Sequence, residues 1–190
     1  MAKIILFGDS ILGGYTNGQM TSKITNLIKQ AFPTDKIVNA SMAGATTDRA
    51  LGNVNRRVMR EHPDVVVLNF GVNDAGLKLA MSAGRYNNNL NILVEKIGAK
   101  RVIIVSPSLT NWRVASDQSW PRILQFELVT EHVAKHYQTP YLNLAELMQQ
   151  QENVLELLQP DGIHLTDKGI NLFIKNLVPL IKQKLETTKE

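Results

Sequence analysis

Apolar residues in this chain fall into short dense runs, separated by longer stretches where they recur every three or four positions. The dense runs are 3–7 (KIILF), 36–40 (KIVNA), 65–70 (VVVLNF), 101–105 (RVIIV) and, more weakly, 139–143. Their β-branched content and their stops at Gly8 and Ser106-Pro107 predict strands. The third run is almost wholly apolar, as a central strand covered on both faces would be. The periodic stretches predict helices over 20–31, 47–60, 83–97, 121–137 and 167–185, with short helical pieces in 144–158. Pro33, His62-Pro63 and Gly98 close three of them; Thr47 or Asp48 and Thr166 are the expected N-caps, and 186–190 reads as a frayed tail. Strand alternating with helix is the pattern of a parallel sheet with helices on both faces, so a three-layer α/β domain of about five strands is expected. No repeat, low-complexity tract or linker divides the 190 residues, and one domain is the expectation.

Composition narrows the chemistry. There is no cysteine, which removes thiol nucleophiles, thiolate metal sites and CxxC redox chemistry together. The net charge of +4 invites a nucleic-acid partner, but acidic residues punctuate most of the chain and the sparse aromatics do not interleave with basic ones. Only Arg56, Arg57 and Arg60 cluster, as a solvated helix face would. No apolar run approaches the roughly 20 residues of a membrane span, and residues 4–8 are too short for a signal-peptide core. A soluble cytoplasmic chain with neither nucleic-acid nor membrane partner is expected.

Polar residues of unusual kind follow the strands. Gly8-Asp9-Ser10 lies past the first, Ser41 to Gly44 past the second, and Gly71-Val72-Asn73-Asp74 past the third. Asp161-Gly162-Ile163-His164 stands just before the last helix. A parallel sheet sends all its carboxyl ends to one rim, where ligand sites form. Taken singly, each cluster reads as a turn or cap. Taken in order, they supply every part that acyl transfer requires.

That order resembles the four sequence blocks of the SGNH hydrolases, the GDSL esterase/lipase family: Gly8-Asp9-Ser10, Asn39 with Gly44, Gly71-x-Asn73-Asp74 and Asp161-x-x-His164. Ile11 stands where the family name expects leucine. The resemblance implies a flavodoxin-like three-layer fold with strand order 2-1-3-4-5. It also implies a serine esterase for small or medium carboxylic esters, working through an acyl-serine without metal or cofactor. A thioesterase, a lysophospholipase-like enzyme or an acyltransferase would use the same intermediate. A non-catalytic flavodoxin-like binder is disfavoured, because Gly8 to Gly14 lack phosphate-loop spacing.

On this reading Ser10 is the nucleophile and needs a base within hydrogen-bond reach. Of four histidines only His164 is placed for that, and Asp161 three residues earlier can hold its Nδ1–H. Asp167, a rival orienter, is better explained by the helix dipole. By resemblance the oxyanion donors are the backbone N–H groups of Ser10 and Gly44 and the Asn73 amide, while Asp9 and Asp74 support their loops. The stretch carrying Gly13, Gly14 and Gly18 is expected to give the site little cover. His132 and His136 have zinc-compatible spacing but no third ligand, and His62 reads as a cap. The loop 108–119, with Trp112 and Arg113 and with Trp120 just beyond, reads either as a wall of the ester pocket or as a partner surface.

Overall fold

The computed structural model describes residues 1–187. Its first strand, β1 (Lys3–Gly8), is sealed from solvent from Ile4 to Phe7, as a dense apolar run must be when both faces of a sheet are covered. β4 (Lys36–Asn39) pairs with it in parallel on one side and β5 (Val65–Asn69), buried throughout, on the other. β6 (Val102–Val105) and β7 (Tyr141–Leu142) extend the sheet beyond β5, giving the order β4-β1-β5-β6-β7, all parallel. Renumbered by sheet strands alone this is the expected 2-1-3-4-5.

Helices cover the sheet. α1 (Lys23–Ala31) packs on α7 (Asp167–Thr187), which also meets α6 (Leu144–Gln149); α4 (Ala83–Ile97) packs on α5 (Trp120–Tyr137) and on α2 (Thr47–Leu51). The buried side chains of sheet and helices form one contiguous apolar cluster. Thr166 caps α7, its Oγ1 accepting from Gly169 N–H at 3.3 Å. Among the described residues no helix is long and apolar enough to cross a membrane.

Five local expectations are corrected. The helix expected over 47–60 is broken at Gly52-Asn53 into α2 and α3 (Val54–Arg57), followed by a 3-10 turn, Met59–Glu61, that ends on His62 in the left-handed conformation. Its N-cap is Thr46, because the Thr47 side chain is drawn into a buried contact with Asp74. The strand expected over 139–143 keeps only two ladder residues, since Thr139 N–H still bonds Ala134 in the helix before it and Asn143 caps α6. Residues 20–22 precede α1: Met20 belongs to a hairpin of β2 (Tyr15–Thr16) and β3 (Gln19–Met20). Of the expected frayed tail, Glu186 and Thr187 continue α7, and 188–190 lie outside the described residues.

Candidate active site

The clusters at the strand ends meet because the sheet places them there. Past β1 the chain turns at once: Asp9 N–H bonds Asn69 O of the neighbouring strand at 3.2 Å, and Gly13 N–H returns to Asp9 O at 3.0 Å. This presents Ser10 at the rim with only 6% of its surface exposed. Past β4, Met42 N–H bonds Gly8 O (2.9 Å), which sets residues 42–45 beside the serine turn. Past β5, the Asn73 amide donates to Ala45 O (3.1 Å), closing the triangle. Gly44 sits at φ +65°, where a Cβ would meet no protein atom within 4 Å. Its glycine is therefore required by backbone conformation rather than by crowding.

The fourth cluster arrives from the other end of the chain. Residues 158–165 fold into a closed loop, with Gln159 N–H on His164 O at 2.7 Å and Leu158 bridging Leu165. α7 starts directly after it and runs back along the sheet, so the loop stands on the rim. His164 Nε2 lies 2.9 Å from Ser10 Oγ, and Nδ1 lies 2.6 Å from Asp161 Oδ2. The other Asp161 oxygen accepts the backbone N–H groups of Ile163 (2.9 Å) and His164 (3.0 Å). Burial pushes the Asp161 carboxyl up, but the hydrogen bond from the His164 ring and those two amides outweigh it, so the carboxyl sits below its ordinary range. Asp167 instead pairs with Lys23 at 2.6 Å, out in solvent.

Such a chain moves a proton from hydroxyl to imidazole while the carboxylate holds the far ring nitrogen. Charge developing on an attacked carbonyl would need donors, and two are at hand. Among the described residues, neither Ser10 N–H nor Gly44 N–H donates to another protein group. Unpaired backbone donors beside the Ser10 hydroxyl are able to receive such charge. Asn73 adds a side-chain amide that is half-buried and adjacent.

Two buried carboxyls underlie these loops. Asp9 Oδ1 accepts Ile11 N–H (2.8 Å), and Asp74 Oδ1 accepts both the amide (2.9 Å) and the hydroxyl of Thr47 (2.5 Å). Burial pushes the Asp9 carboxyl up to about 7; the Ile11 amide pulls it down, the Asp74 carboxyl pushes it up and the Asn73 amide pulls it down. Burial likewise pushes Asp74 up to about 6 against the Thr47 bonds, and its Oδ2 has no hydrogen-bond partner among the described residues. The folded state thus holds the Asp9 proton more tightly than an unfolded chain with the ordinary value of 3.8. This contribution to stability is full below that value and is lost as pH rises through about 7. Asp9→Asn keeps an oxygen for Ile11 and cannot ionise. Relative to wild type it should gain on the order of 2 kcal/mol between pH 5 and pH 8, read from urea midpoints. An identical wild-type-to-variant difference at both pH values would contradict this.

Two features escaped the sequence reading. The stretch expected to leave the site open carries the β2–β3 hairpin, whose Tyr15 ring stacks on the His164 ring with centroids 4.2 Å apart. The signal was present in Asn17-Gly18, both at positive φ (50° and 87°), a two-residue turn of the kind that Asn-Gly specifies. Gln159, which ties that hairpin to the histidine loop, gave no local signal at all. The loop 108–119 does stand at this rim. Asn111 N–H bonds Gly162 O (2.7 Å) between Asp161 and His164, and the Asp117 carbonyl and carboxylate accept the amides of Leu77 and Lys78. Trp112 and Val114 are exposed there, with the Arg113 guanidinium 5.9 Å from the Trp112 ring centre. His132 and His136 lie exposed on α5.

A parallel sheet with a hydroxyl, an imidazole and a carboxylate chained at its carboxyl edge is an arrangement of α/β hydrolases that act on acyl groups. Within that class, the chain belongs to the GDSL-like Lipase/Acylhydrolase family, whose sequence profile matches residues 6–171. It is 26% identical over 211 residues to the human isoamyl acetate-hydrolyzing esterase 1 homolog, covering 97% of this chain and 83% of the relative. Among solved structures, a lipase/acylhydrolase from Enterococcus faecalis superposes with a TM-score of 0.93 at 31% identity over 97% of both chains. An acetylxylan esterase from Geobacillus stearothermophilus shares the fold at TM-score 0.74 and 18% identity, over 95% of this chain and 94% of that one. The protein is a carboxylic ester hydrolase of the GDSL type.

Proposed function

We propose that this enzyme hydrolyses small or medium carboxylic esters, acetates foremost, through an acyl intermediate on Ser10. The observation that carries the reading is the unbroken line of contacts from Ser10 Oγ through the His164 ring to Asp161, 2.9 and 2.6 Å long. His164 Nε2 takes the Ser10 proton as Oγ bonds the ester carbonyl carbon, and the carbonyl π pair moves onto oxygen. The oxyanion is met by the N–H groups of Ser10 and Gly44 and by the Asn73 amide, each worth on the order of 3 kcal/mol in such sites. Collapse re-forms the carbonyl and breaks the bond to the alcohol, which leaves with the proton from the imidazolium. Water, deprotonated by the same imidazole, then releases the acid and frees Ser10. Asp161, held below its ordinary range, stays ionised throughout and stabilises the imidazolium.

The acetate preference draws on the relatives, one named for isoamyl acetate and a fold neighbour named for acetylxylan. A panel of p-nitrophenyl esters from acetate to decanoate, with an acetylated sugar and an acyl thioester, tests it. The expected result is the highest kcat/KM at two to four acyl carbons, at least about tenfold above decanoate. A maximum at eight carbons or more, or a thioester turned over faster than every oxygen ester, would overturn the acyl assignment.

A further inference from the structure

We propose that Tyr15 is a positioning residue for His164, held against the imidazole by Gln159; this rests on the roles of Ser10 and His164 proposed above. An imidazole anchored at its two nitrogens can still rock about the line joining them. Asp161 and Ser10 fix that line, and neither limits the tilt of the ring. Tyr15 does: its ring lies tilted against the imidazole, the centroids 4.2 Å apart at an interplanar angle of 31°.

The Tyr15 side of the stack is itself fixed. Tyr15 N–H bonds Ser10 O at 3.0 Å, so the aromatic ring and the nucleophile hang from one short segment. The Gln159 amide then spans the gap between two parts of the chain 144 residues apart. Its Nε2 donates to Tyr15 O (2.9 Å) and to Leu165 O (2.8 Å), while its Oε1 accepts Asn17 N–H (3.2 Å). Its backbone N–H holds His164 O at 2.7 Å. One residue thus fixes the hairpin to the loop that carries the base. Tyr15 lies outside the contiguous apolar cluster, so it is not needed to fill the core. When His164 takes the proton, the π face beside it also favours the cation formed.

The test compares wild type, Tyr15→Phe, Tyr15→Leu, Gln159→Leu, Ser10→Ala, His164→Ala and the double variant His164→Ala/Tyr15→Leu on p-nitrophenyl acetate. Tyr15→Leu should lower kcat roughly 10- to 100-fold, the scale of a misplaced catalytic group, while KM changes less than about threefold. Tyr15→Phe keeps the ring and should restore kcat to within about threefold of wild type. Gln159→Leu should reproduce the fall in kcat and keeps the test open if Tyr15→Leu fails to fold. In the His164→Ala background Tyr15→Leu should have no further effect, within about twofold, because Tyr15 acts only through that ring. A kcat for both leucine variants within about twofold of wild type overturns the proposal, as does an equal loss in the His164→Ala background. Full turnover by Ser10→Ala would instead overturn the catalytic reading beneath it.

Discussion

Ser10→Ala is expected to lower kcat for p-nitrophenyl acetate by about 10⁴- to 10⁶-fold while the protein stays folded. The size follows from what the hydroxyl alone supplies. No cysteine exists to substitute for it, and its Oγ is the atom at 2.9 Å from the imidazole. A methyl group at this position removes the atom proposed to form the bond and leaves the proposed oxyanion donors in place. Residual catalysis should therefore remain above the uncatalysed rate, by about 10³-fold in comparable sites. The fold should survive because the apolar strand residues from Ile4 to Phe7 carry the burial around this turn. The turn itself is held by backbone and Asp9 bonds that the substitution leaves intact. Active-site titration with a fluorophosphonate supplies a second readout: wild type should label and Ser10→Ala should not. Turnover above about one per cent of wild type would place the nucleophile elsewhere.

How far the sequence reached can be judged from particular elements. β1 and β5 were legible because strands buried on both faces have no polar alternation to confuse them with helix. α4 was legible because the 83–97 periodicity is the helix observed and Gly98 stops it; its Ser82 cap, accepting Arg85 N–H, became visible only in the structure. The start of α2 was not legible, because Thr46 becomes its N-cap only when the Thr47 side chain turns inward to Asp74, a partner 27 residues away. The site followed the same division. Ser10, Gly44 and Asn73 come together at one rim because strand ends in a parallel sheet share an edge, which the order of elements already implied. Asp161 and His164 needed only the path of the last helix to reach them. Tyr15 on His164 was out of reach, because the stack rests on Gln159 and on a hairpin read as a glycine-rich gap. The raised Asp9 and Asp74 carboxyls were also out of reach, since burial that sets them is a property of the packed chain.

The most discriminating substitution at the carboxylate is the one that changes its shape least. Asp161→Asn keeps the size of the side chain and an oxygen able to accept the amides of Ile163 and His164. With that oxygen occupied, the NH₂ group must take the place of Oδ2, 2.6 Å from His164 Nδ1. Two donors cannot face each other, so the imidazole would lose its Nδ1 proton and carry it on Nε2. That nitrogen then points an N–H at Ser10 Oγ and cannot accept its proton. The expected loss in kcat is about 10⁴-fold, with KM little changed, as tautomer reversal produces elsewhere. Asp161→Ala should be no worse than Asp161→Asn. The carboxylate is 43% exposed, so water can enter the space and accept from Nδ1, leaving the productive tautomer available. The amides of Ile163 and His164 would also turn to water in that variant, at some loss of loop order. Parallel kcat measurements on the two variants, with ¹⁵N shifts of the His164 ring to read the tautomer, check the argument. An Asn variant at least tenfold more active than the Ala variant would show that Asp161 acts by holding the loop's backbone rather than by setting the proton on His164.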